Sequence, residues 1–295
     1  MKKMNEEKQG ISIIIPAYNE EHGIGKVLEK LIKVMNKTDR EYEIIVIDDG
    51  STDNTGNTAS HFNVRVIRHP KNLGYGKSIL TGADHAKYEL IAITDADDTY
   101  DSEEIIKMIP MMDAFDMVVG KRDMTNMKQH FLVKILRFVL KLIILYFTEN
   151  ICPDPNSGLR MFRKSILEGR ALFSLKFSFT TSITIYAYLT NKFIEYIPIK
   201  YYPRIGFSKV RHVRDSIRTL ILIFSLTLIH RPLKCFMAHI IITLIGISMI
   251  FLTGFLNFNV CLFLTIIWLT VMSFSALGYI AFILGMIYTR INYEK

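Results

Sequence analysis

Two β-branched runs in this chain each lead directly into a cluster of carboxylates. Ile44-Ile45-Val46-Ile47 runs into Asp48-Asp49-Gly50-Ser51-Thr52-Asp53, and Ile91-Ala92-Ile93-Thr94 runs into Asp95-Ala96-Asp97-Asp98. Continuous apolar runs of about four residues fit strands buried on both faces of a parallel sheet. Open α/β sheets bind their ligands beyond the carboxyl ends of the strands, where both acidic clusters fall. Asp is also a common turn and cap residue. Local chemistry of that kind accounts for one such cluster more readily than for two. Oxygen donors at this edge suit magnesium or manganese, with water and diphosphate oxygens completing the shell.

The rest of the N-terminal half alternates in the same manner. Strands are expected at 11–15, 43–47, 64–67, 90–94 and 117–119, and helices at 23–35, 54–61, 77–86 and from 102 onward. Val27, Leu28, Leu31, Ile32 and Met35 recur at helical spacing in the first of these helices. The layout is a doubly wound α/β domain for nucleotide binding. Its first turn lacks G-x-G-x-x-G, which counts against a dinucleotide oxidoreductase.

Half of the 295 residues are hydrophobic, and the excess gathers near the C-terminus. Segments 235–256 and 260–288 contain no Asp, Glu, Lys or Arg. Each exceeds the roughly 20 apolar residues needed to cross a hydrocarbon core. With only Asn257-Phe258-Asn259 between them, they read as a transmembrane hairpin. Arg231 and Lys234 precede the first span, and Arg290 and Lys295 follow the second. The positive-inside rule then places both termini and the large domain in the cytoplasm of a multi-pass cell-membrane protein. The opening basic residues do not make a signal peptide, because the apolar run after them is short and stops at Pro16. Three parts are expected: a catalytic domain over 1–212, an interfacial helix over 213–232, and the hairpin over 233–289. Segment 131–147 is apolar as well, with Lys134, Arg137 and Lys141 at helical intervals, and suits either the interface or an amphipathic helix on the sheet.

The net charge of +8 is unevenly spread, with Lys200, Arg204, Lys209, Arg211, Arg214 and Arg218 crowding the approach to the membrane. Near an anionic leaflet such residues contribute about 1 kcal/mol each. No nucleic-acid-binding motif accompanies them, so no nucleic-acid partner is expected. Cys152, Cys235 and Cys261 form no metal-ligand pattern, and a cytoplasmic domain is kept reduced, so no disulfide is expected either. Gly246, Ser248, Gly278 and Gly285 give the spans small-residue faces suited to packing against neighbours, a homo-oligomer included.

Four motifs, in order, carry a resemblance. They are Ile13-Ile14-Ile15-Pro16-Ala17-Tyr18-Asn19-Glu20, Asp48-Asp49-Gly50-Ser51-Thr52-Asp53, Asn72-Leu73-Gly74-Tyr75-Gly76 and Asp95-Ala96-Asp97. Together they resemble the signature of inverting family-two glycosyltransferases with the glycosyltransferase-A fold. Downstream, Asp154-Pro155-Asn156-Ser157-Gly158-Leu159-Arg160-Met161-Phe162 and the stretch from Ile197 to Lys209 resemble the polyprenyl-phosphate branch, typified by dolichol-phosphate mannose synthase.

The resemblance implies a UDP- or GDP-linked sugar as donor and a polyprenyl phosphate as acceptor. Pro16, Tyr18, Glu20, Asp49 and Asp95 are then donor-site residues, and Asp95 and Asp97 hold a divalent cation on the diphosphate. Arg122, Lys134, Arg204, Ser208 and Lys209 are then acceptor-phosphate contacts, with Asp97, Arg204 and Lys209 closest to the chemistry. Two positions depart from the pattern. Thr99 stands where these synthases often place Gln as a further metal ligand. Ser182 stands near the place where many relatives carry an acidic general base. A sugar hydroxyl needs such a base. A phosphate monoester, with a second pKa of about 6, is already largely a dianion at neutral pH. A transferase acting on a glycolipid or glycan hydroxyl and a non-catalytic nucleotide-sugar-binding membrane protein are the alternatives. A processive synthase is disfavoured, because Gln-x-x-Arg-Trp is absent and Trp268 lies in a predicted span. The sugar itself is not legible, since no motif describes the pocket walls.

Overall fold

The structure is a computed structural model, and it describes residues 10–123, 131–176, 178–202 and 212–254 together with 262, 265, 266 and 268. It divides into one unit ending at Leu226 and another starting at Thr227. In the first unit, β1 (Ile11–Ala17), α1 (Glu21–Met35), β2 (Tyr42–Asp48), α2 (Thr55–Ser60), β3 (Arg65–Arg68), α3 (Tyr75–His85), β4 (Leu90–Ile93), α4 (Glu103–Met108) and β5 (Met117–Arg122) follow in order. They are succeeded by α5 (Phe131–Thr148), β6 (Arg160–Arg163), α6 (Phe179–Leu189) and β7 (Ile194–Ile199). The helix α7 (His212–His230) follows, and α8 (Pro232–Gly254) belongs to the second unit.

The seven strands form one sheet in the order β3-β2-β1-β4-β6-β5-β7. All pairs are parallel except those of β6, which runs antiparallel to both β4 and β5. This mixed sheet fits the glycosyltransferase-A fold that the resemblance implies. Two of its strands, β6 and β7, stand beyond the five expected from the alternation. The strand β6 is four residues long and lies between two arginines, so neither length nor periodicity marks it.

Alternation along β1 builds a core on each face of the sheet. Ile11, Ile13 and Ile15 pack with Ile24, Leu28 and Leu31 of α1, whereas Ile14 packs with Ile79 of α3 and Ile183 of α6. Pairing of β1 with β4 stops at Ile14, so Pro16, further along the same edge, removes no ladder bond.

The segment expected to be the first span is helical as α8, and the segment expected at the interface is helical as α7. Among the described residues, no helix is long and apolar enough to cross a membrane. Several side chains of α8 lie outside the description, as does most of the second expected span, so that statement covers only part of the hairpin. Cys152 and Cys235 are free thiols, and burial pushes Cys152 up to about 12.

Candidate active site

Five connections meet at the carboxyl edge of β1, β2, β3 and β4. The turn after β1 is stitched to the acidic loop after β2. Asn19, at φ 51°, donates its N–H to Ser51 Oγ at 3.0 Å and accepts from Thr52 N at 2.9 Å. Glu20 N donates to Thr55 Oγ1 at 2.8 Å, and Glu21 N donates to Asp53 Oδ2 at 3.2 Å. Pro16 is buried, and Tyr18 and Glu20 are half-buried at the rim.

Within the acidic loop the two adjacent aspartates have separate structural duties. Asp48 accepts from Ser51 N at 2.9 Å and pairs with Arg68 at 3.4 Å. Asp49, buried, accepts from Leu73 N at 2.9 Å, Gly74 N at 2.8 Å and His69 Nδ1 at 2.7 Å. His69 Nε2 in turn meets Thr81 Oγ1 at 3.0 Å. Asp49 therefore fixes the Asn72-Leu73-Gly74 turn from which α3 starts.

That turn carries the next side chain to the edge. Tyr75, the first residue of α3, donates its hydroxyl to Asp95 Oδ1 at 3.0 Å. Burial, and then the Asp95 charge, push the Tyr75 phenol well above its ordinary value, so it stays a donor. Gly74 sits at φ +104°, and a Cβ there would lie 2.6 Å from Leu175 O. Gly74→Ala is expected to cost about 1–3 kcal/mol in backbone strain. It should also weaken donor-nucleotide binding by displacing Tyr75, a pair of effects that thermal unfolding and nucleotide titration will read together.

On the β4 side, Asp97 Oδ1 accepts from Thr99 Oγ1 at 2.7 Å and Thr99 N at 3.2 Å. Thr99 thus orients Asp97. The neighbouring Asp98 adopts φ 60° and is gripped by Lys30 of α1 at 2.6 and 2.7 Å, which ties the acidic turn to the first helix. A Cβ on Gly23 would come within 2.5 Å of Ala96 O, so α1 approaches that turn closely.

The fifth connection is the 154–158 turn. A Cβ on Gly158 would lie 2.6 Å from Asp95 Oδ2, so only glycine leaves that oxygen clear. Gly158 N donates to Tyr100 OH at 2.8 Å. At the other end of the turn, Asp154 accepts from Arg122 Nε and Nη2, both at 2.8 Å, and from Arg122 N at 3.2 Å. Arg122 also lies 5.4 Å from the Tyr201 ring. Burial opposes its charge, but the Asp154 bonds outweigh that and hold the guanidinium above its ordinary pKa. Burial likewise pushes Asp154 up, and the Arg122 bonds and charge more than reverse it, leaving the carboxyl below 3.8. Asp154 therefore binds its proton more weakly folded than unfolded. The stability it contributes is present above about pH 4 and declines as pH falls toward its folded pKa. Urea midpoints measured from pH 5 to pH 3 should fall less steeply in Asp154→Asn than in the wild type.

Arg122 is thus placed at this edge. Arg204, Ser208 and Lys209 lie outside the described residues, as does the side chain of Lys134. The chain leading to them is anchored nearby: Tyr201 bridges Tyr100, and Tyr202 N donates to Thr99 O at 2.9 Å.

This order of elements and edge residues matches the model of the family described as "Glycosyl transferase family 2" over residues 12–170. The chain belongs to glycosyl transferase family 2. It is 29% identical over 219 residues to the low-salt glycan biosynthesis hexosyltransferase Agl6 of Haloferax volcanii, covering 70% of this chain and 51% of that protein. It is 29% identical over 165 residues to the undecaprenyl-phosphate 4-deoxy-4-formamido-L-arabinose transferase of Proteus mirabilis, covering 54% of this chain and 50% of that one. The chain spans about half the length of each of these relatives. In fold, it is similar to glucosyl-3-phosphoglycerate synthase of Mycobacterium tuberculosis solved with Mn2+, UDP and glucosyl-3-phosphoglycerate. That likeness has a TM-score of 0.61 at 16% identity and covers 75% of this chain and 80% of that one.

The residues of this family 2 site fit a divalent cation. Among the described residues no group of three or more His, Cys, Asp or Glu side chains forms a protein cage. Magnesium and manganese sites at diphosphates do not need one, since one or two carboxylates suffice beside phosphate oxygens and water. Asp95 and Asp97 are hard oxygen donors of that kind. Tyr75 bonds Asp95, Thr99 bonds Asp97 and Gly158 leaves room for Asp95, while Lys30 grips the adjacent Asp98; the sequence reading singled out Thr99 as a departure from the metal-ligand pattern and assigned the other three no role. Their signals lay within the motifs, as Tyr75 between two glycines and Gly158 in Ser157-Gly158-Leu159.

Proposed function

We propose that this chain is a membrane-bound glycosyltransferase that moves a sugar from a UDP- or GDP-linked donor to a polyprenyl phosphate, with inversion at the anomeric carbon. The observation that carries the reading is the chemistry of the α6 start, which meets the 154–158 turn through Thr181 and lies by the start of α3, and which offers hydroxyls in the segment where the resemblance implies a base. Ser182 Oγ donates to Phe179 O at 2.7 Å and accepts from Ser174 N at 3.3 Å. Thr181 Oγ1 donates to Asn156 Oδ1 at 2.6 Å. None of these groups takes a proton from a sugar hydroxyl at neutral pH. A phosphate dianion needs no such help. The names of relatives support the acceptor class, since the Proteus mirabilis protein is an undecaprenyl-phosphate transferase.

In this reading Asp95 and Asp97 hold magnesium or manganese, which supplies Lewis-acid neutralisation of the departing nucleoside diphosphate. Pro16, Tyr18, Glu20 and Asp49 shape the nucleoside end of the pocket. Asp154 holds Arg122 through Nε and Nη2, and in this reading the remaining Nη1 meets the acceptor phosphate. Arg204, Ser208, Lys209 and Lys134 add further acceptor-phosphate contacts. The acceptor oxygen attacks the anomeric carbon in line, forming the new C–O bond as the bond to the nucleoside diphosphate breaks. The basic residues act by holding two anions in attacking geometry.

The catalytic domain is assigned to 1–212, the interfacial helix to 213–232 and the membrane hairpin to 233–289, with both termini cytoplasmic. Supporting this placement, α5 carries Phe138, Val139, Leu142, Leu145 and Tyr146 along one side, each 41% exposed or more. An apolar stripe of that size suits a lipid surface better than water.

The test is nucleoside diphosphate release by detergent-purified full chain supplied with either polyprenyl phosphate or the matching polyprenol. Release with the phosphate and not the alcohol is expected. Release that requires the alcohol would overturn the acceptor assignment.

A further inference from the structure

Arg160 opens β6 and is fully buried. Its guanidinium donates to Ser157 O from Nε at 3.2 Å and again from Nη2, and to Pro155 O from Nη2 at 3.4 Å. From Nη1 it reaches Thr180 O at 2.9 Å and Thr184 Oγ1 at 3.1 Å. Every one of these acceptors is neutral, and among the described residues no carboxylate forms an ion pair with this arginine. Burying a cation in that company carries a desolvation cost that bonds to neutral oxygens only partly offset.

The bonds nonetheless tie together three segments that the site depends on. They join the 155–157 turn to β6 and to the first turns of α6, and no shorter or less branched side chain reaches all of these acceptors. The turn so held has a functional group at each end. Asp154 grips Arg122, and Gly158 both donates to Tyr100 OH at 2.8 Å and backs Asp95 Oδ2.

We propose that Arg160 is a positioning residue for the cation site: by pinning the 155–158 turn from beneath, it sets where the Asp95 carboxylate stands. It touches no reactant itself. The inference rests on the reading of Asp95 as a cation ligand.

The experiment is manganese binding to the detergent-solubilised full chain, followed by the electron paramagnetic resonance of free Mn2+, with UDP present and separately with GDP. Losing a group that orients a metal ligand typically costs 10–100-fold in metal affinity. Arg160→Lys keeps the charge but loses the fork, and should raise the half-saturating Mn2+ concentration about tenfold, near the low end of that range. Thr184→Val removes one of the five hydrogen bonds and should raise it only about twofold. Phe162→Leu, a buried core change in the same strand, should lower the melting temperature and leave manganese saturation unchanged.

The proposal is overturned if folded Arg160→Lys saturates like the wild type, or if Phe162→Leu shifts saturation as much. Should Arg160→Lys fail to fold, Thr184→Val decides, and its saturating like the wild type overturns the proposal. An Asp95→Asn variant separates the two layers. Unchanged manganese binding in Asp95→Asn removes the cation-site reading itself rather than the role of Arg160 alone.

Discussion

Asp97→Ala is expected to abolish sugar transfer while leaving the fold in place. A bound cation contributes several kcal/mol to charge stabilisation on the leaving group. At about 1.4 kcal/mol per tenfold, losing one of its two carboxylates should lower kcat/KM by at least about 10³-fold. The structural cost is small by comparison. Thr99 N and Oγ1 lose the oxygen they donate to, a change of about 1–2 kcal/mol. Circular dichroism should match the wild type, and urea midpoints should move only slightly. Rescue of activity by high manganese is expected to be partial in Asp97→Asn and absent in Asp97→Ala. Activity near the wild-type level in Asp97→Ala would remove the acidic turn from the mechanism.

Arg122→Ala should have the largest effect on stability. The Arg122–Asp154 pair is bidentate, with side chains 15% and 12% exposed. Removing one partner leaves a buried carboxylate without its counter-charge, which costs about 3–5 kcal/mol. Denaturant unfolding of Arg122→Ala should show this loss. Arg122→Ala combined with Asp154→Ala should recover part of it, because no charge is then stranded. Transfer should remain impaired in the double variant, since the Arg122 guanidinium proposed to meet the acceptor phosphate is gone in both. Full recovery of activity along with stability would assign Arg122 a purely structural role.

The three inner parallel strands β1, β2 and β4 were legible because each follows the same rule. Ile13-Ile14-Ile15, Ile44-Ile45-Val46-Ile47 and Ile91-Ala92-Ile93 are apolar on both faces and end in polar turns, so burial and position coincide. β6 was not legible, because Arg160 and Arg163 bracket it and the burial of Arg160 depends on acceptors some 20 residues away in α6. The same limit applied to the site. The carboxylates of Asp95 and Asp97 stood out, but the groups that set the acidic turn, Lys30 on Asp98, Tyr75 on Asp95 and Gly158 beside it, come from α1, α3 and the 154–158 turn, at sequence distances that no local pattern spans. Asp49 shows the reverse case. Its motif marks it for the nucleoside, while its oxygens also organise the start of α3 through Leu73, Gly74 and His69.

The most direct measurement is transfer of label from a panel of radiolabelled UDP- and GDP-sugars to polyprenyl phosphate by the detergent-purified full chain with manganese, counted after extraction into organic solvent. Label in the organic phase that disappears with chelator and with Asp97→Ala is the expected result, and it names the sugar. Donor binding with no label entering the lipid from any of the sugars would contradict the account.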